Sequence, residues 1–200
     1  MSNRMRSRWS PGPPVYAIVC LILVSIAIVF RQDMTATMTL HMLVHIPLIL
    51  LAGACAAAIP QGKPGRAAEQ LAKYNGYGVP GLLFVTFTLA YWMIPKSLDH
   101  VLLSAPADWG KFLGLFIAGM VLHDSLRRAD KVIKLFFIGN FSWMTAIAGM
   151  LYQDNPARLC NFYLLGDQEL AGRGLVIVAV AVPLAWLWAE YTHARRRLPE

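Results

Sequence analysis

Residues 37–59 read TMTLHMLVHIPLILLAGACAAAI, and Pro60 follows them. The stretch contains no Asp, Glu, Lys or Arg, and it is long enough to cross a bilayer, because a helix needs about 20 apolar residues to span the hydrocarbon core. It therefore predicts a transmembrane helix that ends before Pro60. Two histidines, His41 and His45, lie in the first half of this helix, where ionisable side chains are costly unless they face the interior of a bundle.

The rest of the chain also consists of long apolar runs separated by short polar segments. Of the 200 residues, 57% are hydrophobic and 14% are charged, whereas a soluble domain usually has about a quarter charged residues. This composition predicts an all-α, polytopic transmembrane helix bundle in which residues 1–200 form one integral membrane domain. Six spans are predicted, at residues 14–31, 37–59, 78–94, 109–126, 132–151 and 173–191.

The basic residues predict the orientation of these spans. One side of the predicted membrane has only Arg31, Lys96, Lys111, Arg158 and Arg173, and every other Lys and Arg falls on the side of the two termini. Because cytoplasmic segments are enriched in Lys and Arg, the N-terminus and the C-terminus are both predicted to be cytoplasmic. The net charge of +7 is then explained by orientation, so no binding to nucleic acid is predicted.

A group of soft ligands lies at the start of the second predicted span. At 100° per residue, Met38, His41 and His45 fall on one face of a helix, and Met42 lies beside them. Imidazole and thioether ligands suit copper, above all Cu(I), better than magnesium or calcium. The four side chains are therefore candidate metal ligands. The alternative is that the methionines fill gaps in the core and that the histidines are packed polar groups.

A third histidine is predicted on the same, non-cytoplasmic side. His100 falls in a predicted outer loop at residues 95–108, and it is the natural third ligand for the histidine pair. Its neighbour Asp99 is expected to orient one of the imidazoles, which is a role that carboxylates often take beside metal ligands.

Two polar residues precede the last predicted span. Asp167 and Gln168 end the second outer loop, at residues 152–172. They are expected either to cap the start of that span or to reach the histidines of the second span.

Two short motifs resemble a known family. His41-Met42-x-x-His45, followed by small and apolar residues through Ala52-Gly53, is similar to the His-Met-x-x-His signature of the caa3-type cytochrome c oxidase assembly factors, the CtaG family. The segment Asp167-Gln168-x-x-Ala171-Gly172 resembles that family's Asp-Gln-x-x-Gly/Ala-Gly segment. This chain is shorter than the usual members and lacks the further histidines of their middle helices, where it offers only His100 and His123.

The resemblance implies a role in the maturation of a haem–copper oxidase. It implies a protein of the bacterial inner membrane that handles copper at the periplasmic side, without catalytic turnover, and whose partners are the lipid bilayer and the subunits of a respiratory oxidase or another membrane complex. The Met and His stripe, considered without the resemblance, also favours copper.

Two other functions stay open at this stage. A haem b-binding subunit of a respiratory complex needs two axial histidines, and since His41 and His45 share one helix face, the candidate ligands are His45, His100 and His123. The third possibility is an accessory membrane subunit without a cofactor. Motifs for nucleotide binding or for hydrolysis by a serine nucleophile are absent from the sequence, so no enzymatic activity is predicted.

Overall fold

The computed structural model describes residues 13–59 and 72–196, and the regular secondary structure within these ranges is helical throughout. The main helices are α1 (Pro13–Val29), α2 (Arg31–Thr35), α3 (Met38–Leu40), a π-helical turn (His41–His45), α4 (Ile46–Ala58), α5 (Val79–Trp92), α6 (Pro95–Leu103), α7 (Ala105–Arg128), α8 (Lys131–Asp154) and α9 (Leu165–Arg195). The prediction of an all-α fold is confirmed for this part of the chain.

Several of the basic residues that predict the orientation lie outside these ranges. The basic residues that carry much of the predicted orientation include Arg4, Arg6, Arg8, Lys63, Arg66 and Arg197, and these lie outside the described residues, as does Pro60.

Four helical segments are long and apolar enough to cross a membrane: Met38–Ala58, α7, α8 and α9. Helices α5 and α6 are bent by 73° at a short break, and together they form a fifth candidate span. Helix α1 is apolar throughout but has 17 residues, fewer than the roughly 20 that span the hydrocarbon core. The described structure thus has four or five candidate spans, whereas the sequence predicted six. The difference lies at the predicted span 14–31 and, if the bent pair does not cross the membrane, also at the predicted span 78–94.

The predicted outer loop at residues 95–108 is wrong, because most of it is helical. Helix α6 covers Pro95–Leu103, and α7 begins at Ala105, earlier than the predicted start at residue 109. Each helix has a proline in its first turn, where a missing N–H costs nothing and the fixed φ favours the helix. Proline thus begins these helices rather than marking a loop.

Helices α4 and α7 cross at very short range, and this crossing positions the site. The Cα of Gly53 lies against the carbonyl of Phe116, and the Cα of Gly119 lies against the carbonyl of Leu50. Any side chain at either glycine would collide with backbone, so the approach depends on both. The crossing brings the first half of α7 beside the turn that carries His41 and His45.

Candidate functional site

The segment with the two histidines is a π-helical turn. The Ile46 amide donates to the carbonyl of His41, five residues earlier. Pro47 has no N–H, and its ring crowds the carbonyl of the residue four positions earlier, which loosens the helix at this point. Such π-helical turns inside α-helices occur frequently at functional sites. Both imidazoles point into the bundle: their exposed fraction is 0%, and their ring centroids are 5.7 Å apart.

The ammonium group of Lys111 on α7 lies between the two rings. Its Nζ is 3.1 Å from His41 Nε2 and 3.4 Å from His45 Nδ1. The same Nζ forms an ion pair with Asp108 Oδ1 at 3.0 Å. Lys111 has no exposed surface, and a buried lysine needs acceptors for its three N–H groups. The two imidazoles accept hydrogen bonds from it, and the Asp108 carboxylate compensates its charge.

The hydrogen-bond partners determine which nitrogen of each ring carries the proton. The Tyr163 hydroxyl donates to the Thr35 carbonyl at 3.1 Å, so its oxygen is left to accept from His41 Nδ1–H at 2.9 Å. His45 Nε2 lies 3.2 Å from the Ala27 carbonyl, which can only accept. Each ring therefore presents an unprotonated nitrogen to Lys111, and both lone pairs point at one position.

A polar pocket lies beside this buried cluster. Asp108 Oδ2 accepts a hydrogen bond from Arg31 Nη1 at 2.7 Å. The two residues form part of the wall of a pocket of about 190 Å³, which is also lined by Gln32, Thr35, Val101 and Leu102. Asp108 thus lines the pocket together with Arg31, and it is linked to the histidine pair through Lys111.

The cluster carries a net positive charge. Arg31 and Lys111 are cations, Asp108 is the carboxylate that pairs with both, and the two histidines accept from Lys111 and are neutral. A buried charge is tolerated only when its partners remain in place, and the loss of one partner is strongly destabilising. The arrangement therefore depends on Asp108 more than on any other single side chain.

The structure separates the five side chains that the sequence proposed as metal ligands. One nitrogen of His41 and one of His45 point at the same position, which Lys111 Nζ occupies. Met38 and Met42 are buried, with exposed fractions of 0% and 4%, and both belong to the adjoining apolar core. His100 lies on the exposed side of α6, so it is not a third member of the buried pair.

His123, an alternative haem ligand, lies on the same helix as Lys111 but twelve residues further along. At 1.5 Å per residue the two positions are about 18 Å apart. Within residues 13–59 and 72–196, no three His, Cys, Asp or Glu side chains are grouped as metal ligands. The histidine pair thus has no third side chain of these types grouped with it in the described ranges.

The three polar residues proposed around the site have other partners. Asp99 Oδ2 accepts from the backbone N–H and the side-chain amide of Asn161, at 2.9 and 3.0 Å, so it does not orient an imidazole. Gln168 accepts from the Leu159 amide at 2.8 Å and donates to the Tyr152 carbonyl at 3.1 Å. It therefore holds the loop that joins α8 to α9.

Asp167 reaches the start of the second predicted span, but it meets Met38 and Thr39 there and not the histidines. Its carboxylate accepts from the Met38 amide, from the Thr39 amide at 3.3 Å and from the Thr39 hydroxyl at 2.6 Å. These amides belong to the first turn of the helix, where backbone N–H groups have no partner within the helix. Asp167 on α9 thus caps the segment that carries the histidines.

We expect Asp167→Ala to lower the free energy of unfolding by about 1–2 kcal/mol, since it removes an N-terminal cap made by a charged acceptor. Unfolding in mixed detergent micelles would measure the change. Asp33→Ala, at an exposed position of α2, is the matched control and should have little effect. Equal stability of the two variants would show that the cap contributes nothing.

The loop before α9 covers the site, and its residues Tyr163 and Cys160 are both buried. Burial, with Cys160 and Asp167 nearby, raises the pKa of the Tyr163 hydroxyl well above its usual range, so it stays protonated and keeps its hydrogen bond to Thr35. Burial next to Asp99 raises the pKa of the Cys160 thiol to about 12. Cys160 belongs to the apolar core, and its thiol donates a weak hydrogen bond to the Pro95 carbonyl.

Lys111 is not among the site residues predicted from the sequence, although the sequence contains a signal for it. The sequence-based prediction uses Lys111 and Arg31 only for the orientation of the spans, and it assigns no role to Asp108. Yet a lysine inside an apolar helix is by itself a sign of a functional position, and an aspartate three residues before it lies on the same helix face. Tyr163 gave no comparable signal, because it reaches His41 from a distant loop.

Comparisons with protein-family models, with curated proteins and with solved structures found no match to this chain.

Proposed function

We propose that this chain is a multi-pass membrane protein that handles copper for the assembly of a haem–copper oxidase. Its cargo is Cu(I), held between His41 Nε2 and His45 Nδ1 at the periplasmic side. The observation that carries the proposal is the convergence of these two lone pairs on one position, 3.1 and 3.4 Å away, which the Lys111 ammonium fills.

The surroundings of the two rings are those of metal-binding histidines. A metal-bound histidine usually donates its other N–H to a carbonyl, a carboxylate or another polar group, which holds the ring in place. Here the second nitrogens donate to the Tyr163 hydroxyl and to the Ala27 carbonyl. Metal–imidazole bonds are about 2.0–2.1 Å long, so each ring needs to close by roughly 1 Å once Lys111 has moved aside.

Two nitrogen ligands suit an ion that must be passed on. Cu(I) accepts low coordination numbers and nitrogen or sulfur ligands, and a centre with few ligands releases its ion more readily than a closed site with four. Under this proposal the ion enters through the polar pocket beside Arg31 and Asp108 and reaches the histidines once Lys111 moves. The motifs shared with the CtaG family support an oxidase as the final acceptor.

Orientation is part of the proposal. With both termini in the cytoplasm, the histidine pair, α6 and the loop before α9 lie near the periplasmic face of the inner membrane. A haem b subunit is less well supported. His100 is exposed, and His123 lies about 18 Å along α7 from Lys111, so neither histidine is placed to be the second axial ligand of a haem bound to His45.

Metal content of the detergent-purified protein tests the proposal. We expect about one copper per chain after anaerobic incubation with Cu(I), and the loss of that copper in the double variant His41→Ala/His45→Ala. His193→Ala, at an exposed position near the end of α9, is the matched control, and His100→Ala tests whether the third histidine contributes. Both single variants should keep their copper.

The same preparation distinguishes the other functions. If the reduced-minus-oxidised spectrum is that of haem b, the protein is a haem-binding subunit and the copper proposal is wrong. Absence of both groups from wild type, in protein that is folded and monodisperse, would leave an accessory subunit in which the Lys111 network is purely structural.

A further inference from the structure

A groove of about 300 Å³ runs along the outside of the bundle between α1 and α7. Its deepest wall is formed by Ile49 and Ala52 of α4, which are almost completely buried. The sides are formed by Val24 and Ile28 of α1 and by Phe112 of α7, and every side chain that lines the groove is apolar. Ile28 is 47% exposed, so the groove is open toward the surroundings of the bundle.

One end of the groove is marked by a cation. Arg31 lies one helical turn beyond Ala27 and Ile28, and its Nη1 donates to Asp108, the neighbour of Trp109 in α7. Trp109 lines the groove and is itself 60% exposed. The guanidinium therefore lies at the Trp109 end of the groove.

Among the contacts of residues 13–59 and 72–196, the Arg31 guanidinium has donors without a partner. Its side chain is 43% exposed, and a guanidinium offers five N–H donors, of which Asp108 engages one. Since Asp108 also pairs with Lys111, two cations share one carboxylate, and the local charge is positive. An apolar groove that ends at a partly satisfied cation is complementary to an amphiphile with an anionic head.

We propose that this groove binds one acyl chain of an anionic phospholipid, with the phosphate of that lipid accepting hydrogen bonds from Arg31. The inference rests on the membrane location given under the proposed function, but it does not depend on copper. Trp109 lies at the head-group end of the groove, where indole rings are favoured at the membrane interface. The positive cluster favours an anionic head over a zwitterionic one, whose choline cation it repels.

Native mass spectrometry of the full chain in detergent tests this inference, with phosphatidylglycerol and phosphatidylcholine of identical acyl chains as probes. We expect wild type to retain phosphatidylglycerol about fivefold better, because one basic residue contributes about that factor to the binding of an anionic lipid. Arg31→Gln should remove the preference, and Arg31→Lys should keep most of it. Lys96→Gln, at an exposed position of α6, is the charge control and should behave as wild type.

A second pair of variants tests the groove itself. Val24→Phe adds volume inside the groove and should weaken the retention of both lipids severalfold. Leu21→Phe makes a similar change at a side chain that is 67% exposed and does not line the groove, and it should have no effect.

Three results would overturn the proposal. They are equal retention of the two lipids by wild type, an unchanged preference in Arg31→Gln, and identical retention by Val24→Phe and Leu21→Phe. A wild-type dimer that Val24→Phe separates into monomers with unchanged lipid retention would instead assign the groove to contact between two copies. Copper content is measured separately, so failure of the lipid site leaves the copper proposal intact, and the reverse also holds.

Discussion

Asp108→Ala is expected to lower the free energy of unfolding by about 3–5 kcal/mol, which is the usual cost of removing one partner from a buried ion pair. Asp108 is 6% exposed and Lys111 is not exposed at all. Without the carboxylate, the ammonium keeps only the two imidazoles as acceptors, and its charge is no longer compensated inside the bundle. Arg31 is affected less, because its side chain is 43% exposed and water can replace the lost partner.

Labelling of Cys160 by a maleimide provides the measurement. The thiol is buried and hydrogen-bonds weakly to the Pro95 carbonyl, and its pKa is raised to about 12, so it reacts only when the fold opens. In a background of Cys20→Ser and Cys55→Ser, Asp108→Ala should be labelled far faster than wild type at the same detergent concentration.

The double variant Asp108→Leu/Lys111→Met is the control for the first prediction. An apolar pair in place of a buried ion pair is often close to neutral in stability, so most of the lost stability should return. If Asp108→Ala is as stable as wild type, the Lys111 charge is not buried against Asp108 in solution.

Lys111→Met is expected to tighten the binding of Cu(I) by at least about tenfold, which corresponds to about 1.4 kcal/mol. The ammonium occupies the position on which both histidine lone pairs converge, so it competes with the ion for space, for acceptors and through its charge. Two like charges 4 Å apart repel by about 4 kcal/mol at an effective dielectric constant of 20. Lysine can reduce this repulsion by moving toward the polar pocket, which is why the expected gain is smaller.

Competition with a chromophoric Cu(I) chelator measures that affinity. Methionine matches the length of the lysine stem without its charge, and Asp108 keeps Arg31 as a partner, so the fold should persist, as unchanged Cys160 protection would show. Lys111→Arg retains the cation and should show no gain. Equal affinities for wild type and Lys111→Met would mean that Lys111 does not compete with the metal, and the convergence of the two imidazoles would then serve packing alone.

Much of the helical framework follows from the sequence because it depends on local composition. The predicted span 37–59 is observed as Met38–Ala58, and the predicted span 132–151 lies within α8. The run of apolar residues determines each of these helices independently of its neighbours. The boundaries fail where a proline in the first turn begins a helix, as at α6 and α7, since the predicted span 78–94 stops before Pro95 and a loop is predicted after it.

The candidate site follows from the sequence only in part. The spacing of His41 and His45 places both rings on one face of a single helix, and that inference needs no partner. Their burial also follows, because an imidazole inside an apolar helix is stable only toward the interior of the bundle. Which group meets them there cannot be derived from spacing within one helix.

The amino-acid sequence alone therefore specifies an all-helical, apolar chain with a buried pair of imidazoles near the start of one helix. The packing of the helices adds that Lys111 fills the position between the imidazoles, that Asp108 and Arg31 extend the network to a polar pocket, and that His100 stays outside. The physical reason is that Lys111 is 70 residues from His41 and reaches it only because Gly53 and Gly119 let α4 and α7 touch through their backbones. Contacts across such a crossing depend on its depth and rotation, which the periodicity of neither helix specifies.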